Sequence, residues 1–68
     1  MRTFLTPRER EILLLLSQDL TSRELAESLY ISFETVKSHR RNLLNKLGTK
    51  TTAGMVRKGF ELGFLEVQ

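Results

Sequence analysis

The 68-residue sequence predicts an all-α fold, a four-helix bundle with helices near residues 7–18, 22–29, 33–47 and 52–62. Two kinds of observation support this prediction. Serine and threonine residues suited to capping a helix stand at four points along the chain, and apolar residues recur at three- and four-residue spacing after them. Glycines follow the last two of these periodic stretches, where a helix commonly ends.

The first two predicted helices each begin with a capping box. In Thr6-Pro-Arg-Glu9 and in Thr21-Ser-Arg-Glu24, the threonine hydroxyl can accept from the backbone N–H of the glutamate, whose carboxylate can accept from the threonine N–H. Pro7 occupies the first helical position, where its missing N–H costs nothing. The apolar stripe that follows is broad, and Leu14 is expected to project away from the core.

The third predicted helix has one apolar side and one cationic, hydrogen-bonding side. Ser32 can cap its start, and Gly48 can end it. At about 100° per residue, Val36, Leu43 and Leu47 fall on one side. A helix about 10–12 Å wide with a polar opposite face fits the major groove of duplex DNA. The residues on that opposite face are Glu34, Lys37, Ser38, Arg41, Asn42 and Asn45.

The second and third predicted helices are joined by a very short segment, Tyr30-Ile31, before the cap at Ser32. Two helices with so short a connection, the second of them cationic and outward-facing, are typical of a helix-turn-helix unit. We therefore expect a helix-turn-helix at the centre of the four-helix bundle.

The charge of the chain is concentrated in one part of the sequence. The net charge is +3, but residues 33–58 carry seven lysines and arginines against one glutamate, which gives +6. Residues 1–32 carry −1 and residues 59–68 carry −2. This distribution favours an anionic polymer as the partner over a small acidic ligand.

The sequence contains no pattern typical of a cofactor, a metal site or an enzyme. Cysteine is absent, and His39, the single histidine, has no other ligand-type side chain at metal-binding spacing. There is no glycine-rich phosphate loop and no nucleophile–base pair, so we expect no catalysis. The longest apolar run, Ile12 to Leu16, is far shorter than a membrane span, so a cytoplasmic protein without a membrane partner is expected.

Four segments of the sequence resemble the LuxR/NarL-type (FixJ-like) DNA-binding domain. They are Leu5-Thr-Pro-Arg-Glu-Arg-Glu-Ile12, Arg23-Glu-Leu-Ala26, Thr35-Val-Lys-Ser-His39 and the stretch from Asn42 to Gly48. The resemblance implies that residues 1–68 form a single domain, the C-terminal output domain of a longer bacterial transcription regulator. It further implies sequence-specific binding of double-stranded DNA, a homodimer on paired half-sites, and an N-terminal receiver or sensor domain outside this chain.

Three positions depart from the pattern of that family. Asp19 and Tyr30 stand in turns where the family commonly has glycine, and Gly54 stands where an acidic residue is usual. We expect Tyr30 to adopt a left-handed backbone conformation or the turn to be reshaped. None of the three lies on the predicted groove-facing side.

The outward face of the third helix predicts base contacts by Lys37, Ser38 and Arg41, and the resemblance implies the same three residues. Lys37 or Arg41 can pair with guanine O6 and N7. Phosphate contacts are expected at the rim, from the start of the second helix, the flanks of the third helix and the loop after it. The residues predicted to contact phosphates are Thr21, Ser22, Arg23, Thr35, His39, Arg40 and Lys50.

The fourth predicted helix has two apolar faces. Ala53, Val56 and Phe60 make a predicted inward stripe. The other face has the spacing of a helix-pairing seam, and the resemblance implies that this helix forms the dimer contact. An alternative is that this second face covers the domain's own core. The residues predicted for the homodimer interface are Thr52, Met55, Gly59 and Leu62.

Three other interpretations are compatible with parts of the sequence. The third helix alone could be a solvated amphipathic helix. The first half of the chain is also similar to a sigma-factor promoter-recognition domain, but two features argue against that class: the segment from Thr35 to His39 and the predicted dimer face of the fourth helix at positions 52, 55, 59 and 62. A protein-interaction module could instead use Leu14 or the surface around Met55 and Leu62.

Overall fold

The computed structural model describes residues 4–66. The predicted all-α, four-helix architecture is confirmed, and the described part contains no strand. The predicted ends at 18 and 62 are each one residue too long, because these positions are C-caps. The single domain expected for residues 1–68 stays a prediction, since residues 1–3 and 67–68 lie outside the described range. The helices are α1 (Pro7–Ser17), α2 (Ser22–Leu29), α3 (Phe33–Leu47) and α4 (Thr52–Glu61).

Each helix begins where a hydroxyl side chain caps it. The Thr6 hydroxyl accepts the Glu9 N–H at 3.1 Å, and the Glu9 carboxylate accepts the Thr6 N–H at 2.8 Å. Thr21 and Glu24 form the same reciprocal pair at 3.1 and 2.9 Å. Both predicted capping boxes are therefore confirmed. The four capping residues are Thr6, Thr21, Ser32 and Thr51.

The two turns that precede α2 and α3 contain residues with left-handed backbone conformations. Asp19 has a φ of 67°, and Tyr30 has a φ of 56° and a ψ of 41°. Of the two alternatives expected for Tyr30, the left-handed conformation is the one that the structure has. Aspartate tolerates this region better than a bulky aromatic residue does, so the greater strain lies at Tyr30. Its side chain is 95% exposed and offers little burial in compensation.

The hydrophobic core takes side chains from all four helices. The buried side of α3 is the predicted one, formed by Val36, Leu43 and Leu47. α3 packs against each of the other three helices, as α1 also does. Leu14 on α1 projects away from the core as expected and is 45% exposed. The fully buried side chains are Ile12, Leu13, Leu25, Val36, Leu43 and Met55.

The interior face of α4 differs from the predicted one. Ala53 and Phe60 are exposed, and Val56 is half-buried. The residues that face the core are instead Met55, which has no exposed area, and Gly59. The predicted inward stripe is therefore wrong at Ala53 and Phe60.

Gly59 allows α4 to turn this other face inward. A Cβ at this position would lie 2.9 Å from Leu65 Cδ1 and 3.0 Å from Leu13 Cδ2. A residue without a side chain permits α1 and the chain after α4 to come this close. The predicted homodimer seam is consequently wrong at Met55 and Gly59, because both lie inside the domain and a second copy has no access to them.

Candidate nucleic-acid interface

The three predicted base-contacting residues lie together on the outward side of α3. Lys37, Ser38 and Arg41 are all exposed, and their positions span an arc of about 100° around the helix. Lys37 Nζ lies 3.9 Å from the exposed Glu34 carboxylate, which is a weak competing partner. The expected exposure of this face is confirmed, and its contacts with DNA stay a prediction.

An ion pair absent from the sequence predictions joins the end of α3 to the start of α1. Lys46 Nζ lies 2.7 Å from Glu9 Oε1, and Glu9 is only 3% exposed. The same oxygen accepts the Thr6 N–H. Glu9 therefore caps α1 and anchors α3 at once. The two partners are separated by 37 positions, so no local spacing in the sequence indicates this contact.

The Glu9 carboxylate keeps its charge in spite of its burial. Desolvation acts to raise the pKa of Glu9, but it is outweighed by hydrogen bonds from Lys46 and Thr6 and by the Lys46 charge, so the pKa lies below its ordinary value. At neutral pH, α3 is therefore held to α1 by a charged, hydrogen-bonded contact.

The start of α2 carries three of the predicted phosphate-contacting residues. Thr21 and Arg23 are exposed, and Ser22 is half-buried. The Thr21 N–H already donates to the Glu24 carboxylate at 2.9 Å, which leaves the Ser22 and Arg23 N–H groups to meet a phosphate. Hydrogen bonds from Thr21 lower the pKa of Glu24, so an anion stays at this helix end. The predicted phosphate contact therefore depends more on the Arg23 side chain than on the helix end itself, and it stays a prediction.

α2 and α3 border an open groove of about 330 Å³. Phe33 and Leu44 give it an apolar lining, and three α3 side chains give it positive charge. The groove joins the start of α2 to the predicted base-contacting face, so the two sets of predicted contacts share one surface. The residues that line it are Ser22, Phe33, Lys37, Arg40, Arg41 and Leu44.

Phe33 is a residue of this surface that the sequence analysis missed. It is the first residue of α3 and is 37% exposed. The Arg23 guanidinium carbon lies 5.6 Å from the centre of its ring, and Lys37 Nζ lies 5.5 Å from it. The four-residue spacing between Phe33 and Lys37 is a signal that could have indicated one of these contacts. The other contact crosses between helices and depends on the geometry of the turn.

Arg40, another predicted phosphate contact, is half-buried and bonded to α4. Its Nη2 and Nε donate to the Thr52 hydroxyl at 2.7 and 3.2 Å. The guanidinium has further N–H groups that can reach a phosphate. Thr52 belongs to the predicted homodimer seam, but it is half-buried and its hydroxyl is engaged within the chain.

The remaining predicted phosphate contacts lie around the rim of α3. Thr35 is exposed, and its hydroxyl lies 2.8 Å from that of the capping residue Ser32. His39 is half-buried, and Lys50 is exposed in the loop between α3 and α4. All three are accessible from the solvent to some degree, and their phosphate contacts stay predictions.

Two features are absent from residues 4–66. No helix there combines the length and the apolar character that crossing a membrane requires. Nor do three or more metal-ligating side chains come together within that range.

An exposed cationic helix that follows a tight turn and is held by buried aliphatic side chains defines a helix-turn-helix domain of the DNA-binding kind. A comparison of the sequence with models of protein families supports this conclusion. The model for "Bacterial regulatory proteins, luxR family" matches residues 3–58, so the chain belongs to the luxR family of bacterial regulatory proteins. The resemblance found in the sequence is confirmed, and the sigma-factor interpretation is set aside. The members of this family are DNA-binding transcription regulators, so the chain is not an enzyme.

Individual relatives support this assignment. The spore germination protein GerE of Bacillus subtilis is 42% identical over 66 residues, which cover 97% of this chain and 89% of GerE. The solved structure of the transcription factor GerE matches 96% of this chain and 97% of its own, with a TM-score of 0.87 and 37% identity. The response regulator ChrA of a heme-sensing two-component system matches with a TM-score of 0.90 and 35% identity, over 96% of this chain and 32% of ChrA.

Other relatives are much longer than this chain. The transcriptional regulatory protein MctR of Rhizobium johnstonii is 46% identical over 61 residues, which are 90% of this chain but only 28% of MctR. The oxygen regulatory protein NreC of Staphylococcus aureus is 36% identical over 62 residues, or 91% of this chain and 29% of NreC. The chain thus spans between about a quarter and a third of these regulators, but most of GerE.

Proposed function

We propose that this chain binds specific sequences of duplex DNA as a homodimer on paired half-sites, with α3 in the major groove. The observation that supports this most directly is the division of α3 into two sides. Lys37, Ser38 and Arg41 are exposed on one side, while buried aliphatic residues fix the other side to the core. Base-reading side chains on a helix held in this way can approach the groove without a change of fold.

The sequence preference is carried by the outward residues of α3. Arg41 and Lys37 suit guanine O6 and N7, and a good pairing of this kind discriminates by about 1–3 kcal/mol. Ser38 is short and accepts several bases, so it discriminates weakly. Arg23 and the other rim residues contact phosphates and give affinity without sequence preference.

The homodimer contact uses the side of α4 that points away from the core. Ala53 and Phe60 are exposed on this side, and Phe60 keeps 41% of its area accessible. Arg57 lies beside them and pairs with Glu61 at 3.2 Å. In a two-fold symmetric dimer, this face of one chain packs against the same face of the other chain. Arg57 of each chain can then pair with Glu61 of the other chain. Of the four residues predicted for the homodimer seam, Leu62 at the C-cap of α4 is the exposed one, at 47%.

The chain acts as the output domain of a longer cytoplasmic regulator. The support for this part of the proposal is the length of its relatives, since MctR and NreC extend far beyond the matched segment. ChrA, whose matched segment is 32% of its chain, is a response regulator. We therefore propose that a receiver or sensor domain precedes this domain and controls its access to DNA.

Selection of bound duplexes from a random pool by this 68-residue chain tests the DNA-binding part. We expect enrichment of two similar half-sites with two-fold symmetry. Affinity for the selected duplex should fall with salt concentration with a log–log slope of about −0.9 per phosphate neutralised. No binding at low ionic strength, or binding that barely responds to salt, overturns the proposal.

A charged substitution on α4 tests the homodimer separately. Phe60→Asp should weaken occupancy of paired half-sites and leave binding to a single half-site unchanged. Phe4→Asp is the matched control, because Phe4 is an exposed phenylalanine, at 75%, outside α4. Unchanged paired binding by Phe60→Asp would remove this dimer surface and leave the DNA contact of α3 standing.

A further inference from the structure

One aromatic ring contacts cationic side chains from two different helices at the proposed DNA surface. Phe33 opens α3, and the Arg23 guanidinium of α2 and the Lys37 ammonium of α3 lie 5.6 and 5.5 Å from its ring centre. Both distances are within the range of about 6 Å at which the ring attracts a cation. Arg23 and Lys37 are the residues proposed above for a phosphate contact and a base contact.

We propose that Phe33 is a positioning residue for DNA binding, whose ring holds Arg23 and Lys37 in the orientations in which they meet the duplex. This inference rests on the proposed function and adds to it a residue that directs two contacts of different kinds. Phe33 itself need not touch DNA in this role.

The physical reason is the cost of ordering long side chains. Arginine and lysine side chains have many rotamers, and each one immobilised at an interface lowers affinity by roughly 2- to 12-fold. Contact with the ring already restricts the rotamers of both side chains in the free protein. Binding to DNA therefore loses less side-chain conformational entropy. Lys37 has a competing partner, since its Nζ lies 3.9 Å from the Glu34 carboxylate. Without the ring, Lys37 keeps only this weak partner and is free to turn into solvent.

The ring can act in this way because its own position is fixed. Phe33 follows the cap Ser32, whose hydroxyl accepts the Thr35 N–H at 3.0 Å and sets the start of the helix. Phe33 as a whole residue is 37% exposed, so most of its surface is covered. It also lines the groove between α2 and α3, which is where the two predicted sets of DNA contacts meet.

Phe33→Leu tests the proposal, because leucine keeps an apolar side chain and removes the ring. In the 68-residue chain, we expect this variant to bind the selected duplex at least about fourfold more weakly, from two side chains at about twofold each. Phe33→Tyr keeps the ring and should restore affinity to nearly that of the wild type. Phe4→Leu is the control, because this exposed phenylalanine lies outside the groove, and its affinity should stay unchanged.

Two further measurements distinguish positioning from a general structural role. The cost of Phe33→Leu should be smaller in a Lys37→Met background, because one of the two positioned side chains is already gone. In the free protein, the ring should shift the NMR signals of the Lys37 ε-methylene group upfield, and Phe33→Leu should abolish this shift. That signal does not depend on DNA, and the dispersion of the core methyl signals in the same spectra shows whether the variant is folded.

Each negative result has a distinct meaning. If the wild type binds no duplex, the proposed function fails and the role of Phe33 fails with it. If the wild type binds and Phe33→Leu binds equally well or more tightly, only the positioning role is overturned. A loss that is confined to particular base steps and is the same in the Lys37→Met background would show that Phe33 reads a base itself, which also overturns it.

Discussion

Replacing Lys46 by methionine measures how much the contact between α1 and α3 stabilises the fold. The change keeps most of the aliphatic stem and removes the ammonium that lies 2.7 Å from Glu9. Glu9 would keep the Thr6 N–H as a partner but lose its counter-charge at 3% exposure. Breaking a fully buried ion pair costs about 3–5 kcal/mol. Because the Lys46 side chain is 39% exposed, solvent replaces part of the contact, and we expect about 1–3 kcal/mol lost from the free energy of unfolding.

Thermal or denaturant unfolding followed by circular dichroism at neutral pH measures this loss. In a domain of this size, each kcal/mol lowers the Tm by roughly 4–8 °C. Lys58→Met is the matched control, because Lys58 Nζ lies 3.8 Å from Glu61 on the surface and such pairs contribute about 0–1 kcal/mol. If both variants melt within about 2 °C of each other, the contact between α1 and α3 adds no more than a surface pair does, and the reasoning is refuted.

The ion pair between Glu9 and Lys46 also determines how the stability of the fold changes at acidic pH. The pKa of Glu9 in the folded chain lies below its ordinary value of 4.5, so its contribution to stability is fully present above pH 4.5 and is lost as the pH falls through the lower folded value. Lys46→Met removes one cause of the lowered pKa. The stability difference between the wild type and Lys46→Met should therefore shrink below pH 4.5. A difference that stays constant there would show that the ionised Glu9 is not its origin.

Three further predictions concern the DNA face, the core and the turn. Arg41→Ala should relax the base preference at one position of each half-site, whereas Arg23→Ala should weaken binding to all DNA sequences about equally. Binding selections measure both effects. A uniform loss of affinity for Arg41→Ala would show that Arg41 contacts only phosphate. Gly59→Ala should lower the free energy of unfolding by about 1 kcal/mol, because overpacking of about 1–3 kcal/mol against Leu65 and Leu13 outweighs the gain of about 1 kcal/mol in helix propensity; an unchanged or raised Tm contradicts this. Tyr30→Gly should raise the free energy of unfolding by about 0.5–1 kcal/mol by relieving its left-handed conformation, while Tyr30→Phe should leave it unchanged.

The features predicted correctly from the sequence are those that depend on neighbouring residues. The capping boxes at Thr6 and Thr21 specify where two helices begin, because both partners lie within one turn. The same holds for α3, whose apolar and cationic sides are separated by helical spacing alone. The left-handed conformation of Tyr30 is one of two expected alternatives, and a family pattern with glycine at this position indicates it.

The orientation of α4 could not be obtained in this way. Its sequence offers two apolar faces, and the periodic positions of Ala53 and Phe60 favour the one that is in fact exposed. The observed orientation has Gly59 in close contact with Leu65, six positions further on, and with Leu13 of α1, which is distant in the sequence. Glycine has no side chain and does not count as an apolar residue in a periodic pattern. The hydrophobic periodicity therefore gives no indication that Gly59 determines the packing of α4.

α3 is restrained by each of the other helices at a different point along its length. Phe33 at its start contacts α2, Arg40 in its middle bonds to α4, and Lys46 near its end pairs with α1. A helix held at three points has little freedom to tilt, so its outward side chains keep a constant position relative to the start of α2. Loosening any one of these contacts should therefore lower affinity for all DNA sequences, because it disturbs the whole face. A change in base preference, by contrast, is expected from replacing an outward residue such as Arg41, or from replacing Phe33 through its effect on Lys37.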